Sequence, residues 1–151
     1  MKNVLIFILF TFTSFFSQQP IKSELMEFSD YLKKFDYQER KEMKIDIARL
    51  LPLLKEGKAE LIDIRFTEEV EAWSVGFSKS IPLNELPNRL SELDKSKLIV
   101  TVCPHYGRAA IARHYLTLNG FESKYLVKGL LGFANYLRGD KAKEFIIDLK
   151  K

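Results

Sequence analysis

The chain has 151 residues, 46% of them apolar and 29% charged, a balance that suits one soluble globular domain whose core needs no disulfide staples. Its net charge of +4 and pI of about 9.1 come from cations scattered among 20 acidic residues, with no basic block, which argues against a nucleic-acid partner. Cys103 is the sole cysteine and excludes an internal disulfide framework.

The first residues, "MKNVLIFILFTFTSFFSQQP", place Lys2 before an apolar run from Val4 to Phe16. As a helix this run would span about 20 Å, against the ~30 Å of bilayer hydrocarbon. It is therefore read as a signal peptide over residues 1–17, with Ser17 before the cut. The expected location is periplasmic or secreted. Uncleaved, the same residues would form a membrane anchor. Residues 18–42 form an N-terminal unit. Within it "SELMEFSDYLKKF" sets Leu25, Phe28, Leu32 and Phe35 at helical spacing after the cap candidate Ser23, predicting a helix docked by that stripe. "DYQERKEM" reads as a charged connector.

From residue 43 the pattern alternates between strands and helices to residue 151. Ile45 ends a short strand, and Asp46 caps a helix to about Glu56 with Gly57 as its stop. Pro52 inside that segment predicts a kink or a late start, because it removes a helix hydrogen bond. "AELIDIR" (59–65) is a buried strand, Thr67 caps a short helix to Trp73, and "SIPL" (80–83) is briefly extended. Asn84 is read as the cap of a further helix to about Leu93. "KLIVTVC" (97–103) is the strongest strand signal; a helix over 108–118 comes next, stopped by Asn119-Gly120. "KYLV" (124–127) is a third core strand, and residues 130–137 and 142–149 are terminal helices. The fold class is α/β, a parallel sheet with helices on both faces, which places ligands beyond the carboxyl ends of the strands. Cys103 lies at such an end.

The loop "CPHYGR" joins that strand to the start of a helix. The first amides of a helix have no internal partners, and its dipole adds partial positive charge, so the place suits an anion. A thiol there is shifted toward thiolate, the nucleophilic form. Gly107 lets the backbone curl so that amides converge, and Arg108, turned inward, would add a full charge. This is transfer chemistry on a small anion, of either phosphoryl or arsenate type or sulfane sulfur. Four residues separate Cys103 from Arg108. Cysteine phosphatases need five, and the position that would then carry arginine is Ala109, so the shorter cradle favours one sulfur atom.

The chain resembles single-domain rhodanese-like proteins from about Met43 to Leu137. The likeness rests on "LIDIR", "EEVEAW" with "SIPLNEL", "IVTVCPHYGRAAIARHYLTLNGF" and "YLVKGL", in that order. It implies a three-layer fold with a five-stranded parallel sheet and a sulfurtransferase without metal or organic cofactor. It further implies Cys103 as the persulfide carrier, Arg108 as its charged support, and Pro104, His105, Tyr106 and Gly107 as substrate-binding positions. The partners would be a small anionic sulfur donor, such as thiosulfate or a persulfide, and a thiol or cyanide acceptor. The Asp63/Arg65 pair matches a family pair read as structural. The chain departs from the family in carrying Pro104, which lacks an amide; Tyr106 where glycine is usual; Ala109 in place of a small hydroxyl residue; and Lys128-Gly129 for a Gly-Gly turn. These departures keep open a non-catalytic module that binds a partner or an anion. His105 could donate a proton or face solvent, Tyr106 could wall the pocket or join the core, and His114 and Trp73 are read as structural. Arg113 is expected to face solvent or an acidic neighbour.

Overall fold

The computed structural model describes residues 27–151. The expected signal peptide, the Ser23 cap and Leu25 lie outside the described residues. Two short helices, α1 (Phe28–Lys33) and α2 (Tyr37–Glu42), precede the alternating part of the chain. Next are β1 (Lys44–Ile45), α3 (Ile47–Lys55), β2 (Ala59–Asp63), α4 (Thr67–Ala72) and β3 (Lys79–Ser80). Then come β4 (Leu98–Val102), α5 (Gly107–Leu118), β5 (Ser123–Leu126), α6 (Gly129–Tyr136) and α7 (Asp140–Leu149). The strands form one five-stranded parallel sheet in the order β1-β5-β4-β2-β3. No helix among the described residues is long and apolar enough to cross a membrane.

The central strand β4 shows how the sequence divides the core. Its side chains alternate between faces. Leu98, Val100 and Val102 join Leu50, Leu54, Leu130, Phe133 and Phe145 under α3, α6 and α7. Ile99 and Cys103 join Ile62, Ile64, Ala109, Ala112 and Leu116 under α5. All five residues of β4 are buried, as a strand covered on both faces requires. Cys103 therefore continues the α5-facing row one step past the last strand residue.

Several local expectations change. The proline does not delay α3: Asp46 accepts the Arg49 amide at 2.9 Å, and the helix begins at Ile47 with Pro52 inside it. Phe66, not Thr67, is the cap residue of α4. The segment after Asn84 forms two single 3₁₀ turns, Leu86–Asn88 and Leu90–Glu92, instead of one α-helix. Pro87 explains this, since it has no amide and disfavours helical geometry in the residue before it. Residues 37–42, read as a connector, are helical because Asp36 accepts the Glu39 amide at 2.8 Å.

The docking of α1 is the larger correction. Phe28, Leu32 and Phe35 are exposed, and the buried residue of α1 is Tyr31. The Tyr31 hydroxyl donates to Glu39 at 2.8 Å and accepts from Arg113 at 2.7 Å. Arg113 also pairs with Glu39 at 2.6 Å and donates to the Ser123 carbonyl at 3.1 Å. Arg113 thus meets the expected acidic neighbour, but it is 4% exposed rather than turned to solvent. A buried guanidinium is costly unless its donors are used, so α1 and α2 are held by polar need as well as by apolar contact. The His114 ring packs edge-on against Tyr31 with centroids 5.3 Å apart, which bears out its structural reading. Burial first, and the Arg113 charge second, push the His114 imidazole below its usual range.

Candidate active site

Strand β4 delivers Cys103 to the carboxyl edge of the sheet, and α5 starts at Gly107. The Thr101 hydroxyl donates to the Ala109 carbonyl at 2.8 Å, tying the strand end to the first turn of the helix. Across the loop, α6 presents its own N-terminal amides. Leu130 donates to the Cys103 carbonyl at 2.9 Å and Leu131 to the Pro104 carbonyl at 3.2 Å. Trans peptides carry N–H and C=O on opposite sides, and no peptide bond among the described residues is cis. With the Pro104 carbonyl turned to α6, the His105 amide must point away from α6. The Tyr106 carbonyl accepts the Ala110 amide at 2.8 Å, so the Gly107 amide points outward from the helix start. The amides of His105, Tyr106, Gly107 and Arg108 meet no acceptor among the described residues. They form the free donor set that an anion at this end of α5 would use.

Each residue anticipated in the loop has a definite place. Cys103 is 3% exposed, so its sulfur lies at the bottom of the site. Pro104 contributes its carbonyl to α6 and no donor. His105, Tyr106 and Gly107 are exposed. Tyr106, at 59% exposure, belongs to the rim and not to the core, with its ring centroid 6.3 Å from that of Tyr125.

Arg108 is held by a residue whose sequence context suggests only an acid at a helix start. Its Nη1 donates to Glu69 Oε2 at 2.6 Å and its Nη2 to Glu69 Oε1 at 2.7 Å. The paired bonds raise the Arg108 guanidinium further above its already high range and hold the Glu69 carboxyl at about 2. Glu69 also accepts the Phe66 amide at 3.2 Å. Behind it stands the Asp63/Arg65 pair, at 2.7 Å and essentially without exposure. Arg65 Nη1 donates to the Glu69 carbonyl at 3.3 Å and Nη2 to the Trp73 carbonyl at 2.8 Å. Its guanidinium also covers the Trp73 ring at 4.2 Å. The pair fixes α4, as read from sequence, and α4 carries Glu69 to Arg108. The sequence signal for Glu69 is present in "EEVEAW", but two adjacent glutamates at a helix start offer no means of choosing between them.

Gly129 is a second residue whose importance shows only in three dimensions. It has φ +55°, and a Cβ there would lie 1.9 Å from the His105 carbonyl oxygen and 2.5 Å from that of Cys103. The close approach lets α6 grip the loop. Lys128 before it has φ +68°, the only non-glycine residue in the left-handed region among the described residues. Among those residues, no group of three or more His, Cys, Asp or Glu side chains is placed to hold a metal ion.

A three-layer α/β domain with its lone thiol at a strand end, beside a loop with four unpaired amides and backed by a second helix, defines an α/β cysteine-loop architecture. The rhodanese-like domain model matches residues 46–136, and the chain belongs to that family. A Bacillus subtilis relative described as uncharacterized protein YqhL is 33% identical over 87 residues, covering 58% of this chain and 68% of that protein. The rhodanese-related protein of Thermoplasma volcanium superposes with a TM-score of 0.56 at 25% identity, over 62% of this chain and 91% of that one. A rhodanese-like domain protein from Staphylococcus aureus gives 0.53 at 27% identity, over 58% and 86%. The expected three-layer fold and five-stranded parallel sheet are thereby confirmed.

Proposed function

We propose that the protein is a sulfurtransferase that carries sulfane sulfur as a persulfide on Cys103. The Cys103 sulfur attacks the outer sulfur of thiosulfate or of a persulfide, and sulfite or a thiolate leaves. An acceptor thiolate or cyanide then takes the outer sulfur and restores Cys103. The observation that carries this reading is the set of free amides from His105 to Arg108 around the end of β4. They can hold the negative outer sulfur without a metal or organic cofactor. Arg108 contributes through the positive charge beside the loop, with Glu69 fixing its direction. The test is an intact mass after incubation with thiosulfate or polysulfide. One added sulfur is expected, removed by cyanide and absent in Cys103→Ser. An adduct that forms equally on Cys103→Ser, or that cyanide leaves in place, would contradict the transfer step.

A second reading, a non-catalytic module for a partner or an anion, is favoured by the depth of Cys103 and by the missing amide at Pro104. It expects no adduct with any donor. We also propose that residues 1–17 direct export to the periplasm or beyond; uncleaved, they would hold the domain at a membrane. Mass-spectrometric identification of the mature N-terminus separates cleavage after Ser17 from retention.

A further inference from the structure

The apolar row expected to dock α1 faces outward instead. Phe28, Leu32 and Phe35 are 52%, 54% and 40% exposed. Phe28 and Leu32 stand four residues apart on one side of the helix, and the Phe35 ring meets the Tyr31 ring at 6.0 Å between centroids. The row continues onto α5. There the Phe28 ring lies edge-on to the His114 ring at 6.5 Å, and Ile111, one turn before His114 on the same side, is 59% exposed. Taking roughly 200 Å² for each large apolar side chain and about half of it exposed, the four residues present about 400 Å². Apolar residues exposed singly need no explanation, whereas a ridge of this size marks a contact surface. The family model starts at residue 46, so α1 is not part of the fold the chain shares with its relatives.

The chain just before α1 indicates the occupant. Residues 17–27 join the apolar run Val4–Phe16 to Phe28, a link of at most about 40 Å. Removal of such a run uses small residues at the first and third positions before the cut. Residues 1–26 hold no alanine or glycine, and their serines, Ser14, Ser17 and Ser23, are never two apart. A cut after Ser17 would place Phe15 at the third position. The run is therefore poorly suited to removal. Kept in place as a helix it is also short, about 20 Å against ~30 Å of hydrocarbon, and stable attachment by one weak anchor takes a second contact. A stable complex of two proteins buries about 800 Å² on each side, twice what the ridge offers, whereas a bilayer already entered by the run needs no such area. Lys33 and Lys34 are exposed beside the ridge, and Lys33 pairs with Asp30 at 2.9 Å, so the contact would be apolar and independent of anionic lipid.

Resting on the reading that residues 1–17 lead the chain to a membrane, we infer that the run is retained and that Phe28, Leu32, Phe35 and Ile111 form a lipid-contact ridge on the same bilayer. The run supplies the first attachment and the ridge the second. Together they seat the domain on its α1 and α5 side. Ile111 lies one turn beyond Arg108, so the end of α5 that carries the cysteine loop is held close to the membrane surface.

The experiment titrates full-length protein with phosphatidylcholine vesicles and measures partition by flotation. Leu32→Ser with Ile111→Ser should lower the partition coefficient at least about tenfold. Ile147→Ser, which removes an equally exposed apolar side chain from α7 on the other side of the sheet, should leave it unchanged. In a Cys103→Ser background, a polarity-sensitive fluorophore on Leu32→Cys should shift to the blue with vesicles and be quenched by brominated lipid, while one on Ile147→Cys should do neither. Flotation that the double substitution leaves unchanged, or labels that respond alike at both positions, overturns the ridge and leaves membrane delivery by residues 1–17 intact. A dimer that the same double substitution dissolves, with no lipid response from the label at position 32, assigns the ridge to a second copy and overturns the lipid contact. A mature N-terminus at Gln18 overturns retention while export stands, and a full-length chain that does not float at all overturns both readings.

Discussion

Replacing Gly129 by alanine tests the grip of α6 on the cysteine loop most directly. The backbone at φ +55° costs an L-residue roughly 1–2 kcal/mol by itself. The new methyl would also start 1.9 Å from the His105 oxygen and 2.5 Å from the Cys103 oxygen, both main-chain atoms that no rotamer change can move. Relief requires shifting the loop by more than an ångström, and forced overpacking of this kind adds about 1–3 kcal/mol. The sum is about 3 kcal/mol, a fall in Tm of roughly 10 °C for a domain of this size. Gly57→Ala supplies the control, because Gly57 has φ +65° with nothing within 4 Å of the added Cβ. It should lose only the backbone share, about 1–2 kcal/mol. Calorimetry or thermal circular dichroism gives both values, and Cys103 loading reports the loop. Gly129→Ala should lose loading even well below its Tm, while Gly57→Ala should load normally. Equal Tm losses in the two variants, with loading retained in both, would refute the argument that the loop is positioned by contact with α6.

Lys128→Gly should raise stability by about 1 kcal/mol, as relief of left-handed strain outweighs the greater freedom of glycine in the unfolded chain; a higher urea midpoint at unchanged m-value checks it. Arg113→Met should cost about 3 kcal/mol by breaking a buried charged network, with faster amide exchange over residues 28–42; unchanged exchange there would contradict the docking role. The His114 imidazole, faced by Arg113 on its own helix, Glu39 on α2 and Tyr31 on α1, is held below its ordinary value of 6.5. Its contribution to stability is therefore present above pH 6.5 and is lost as pH falls through the lower folded value. His114→Gln should flatten the stability profile on the acid side of pH 6.5, and a profile unchanged by that substitution would count against it.

The sheet could be read before any coordinates because parallel strands buried on both faces are continuous apolar runs. β4 comes nearest to that form, and the position of Cys103 at a strand end comes from counting along "KLIVTVC". Asp46, Gly57 and Gly120 announced helix boundaries through short-range chemistry that sequence alone specifies. The apolar spacing of Phe28, Leu32 and Phe35 was also visible, yet it pointed to the wrong face of α1. Which face docks was decided by Arg113, 82 positions from Tyr31, whose buried guanidinium needed the tyrosine hydroxyl and Glu39. The same holds for Glu69 and Arg108, 39 positions apart, and for Gly129 against Cys103 and His105. Local propensity and periodicity act within a few residues, and they determined the elements and the place of the thiol. The pairing of charges and the close approach of backbones depend on chain segments meeting in space, and only the tertiary structure decided them.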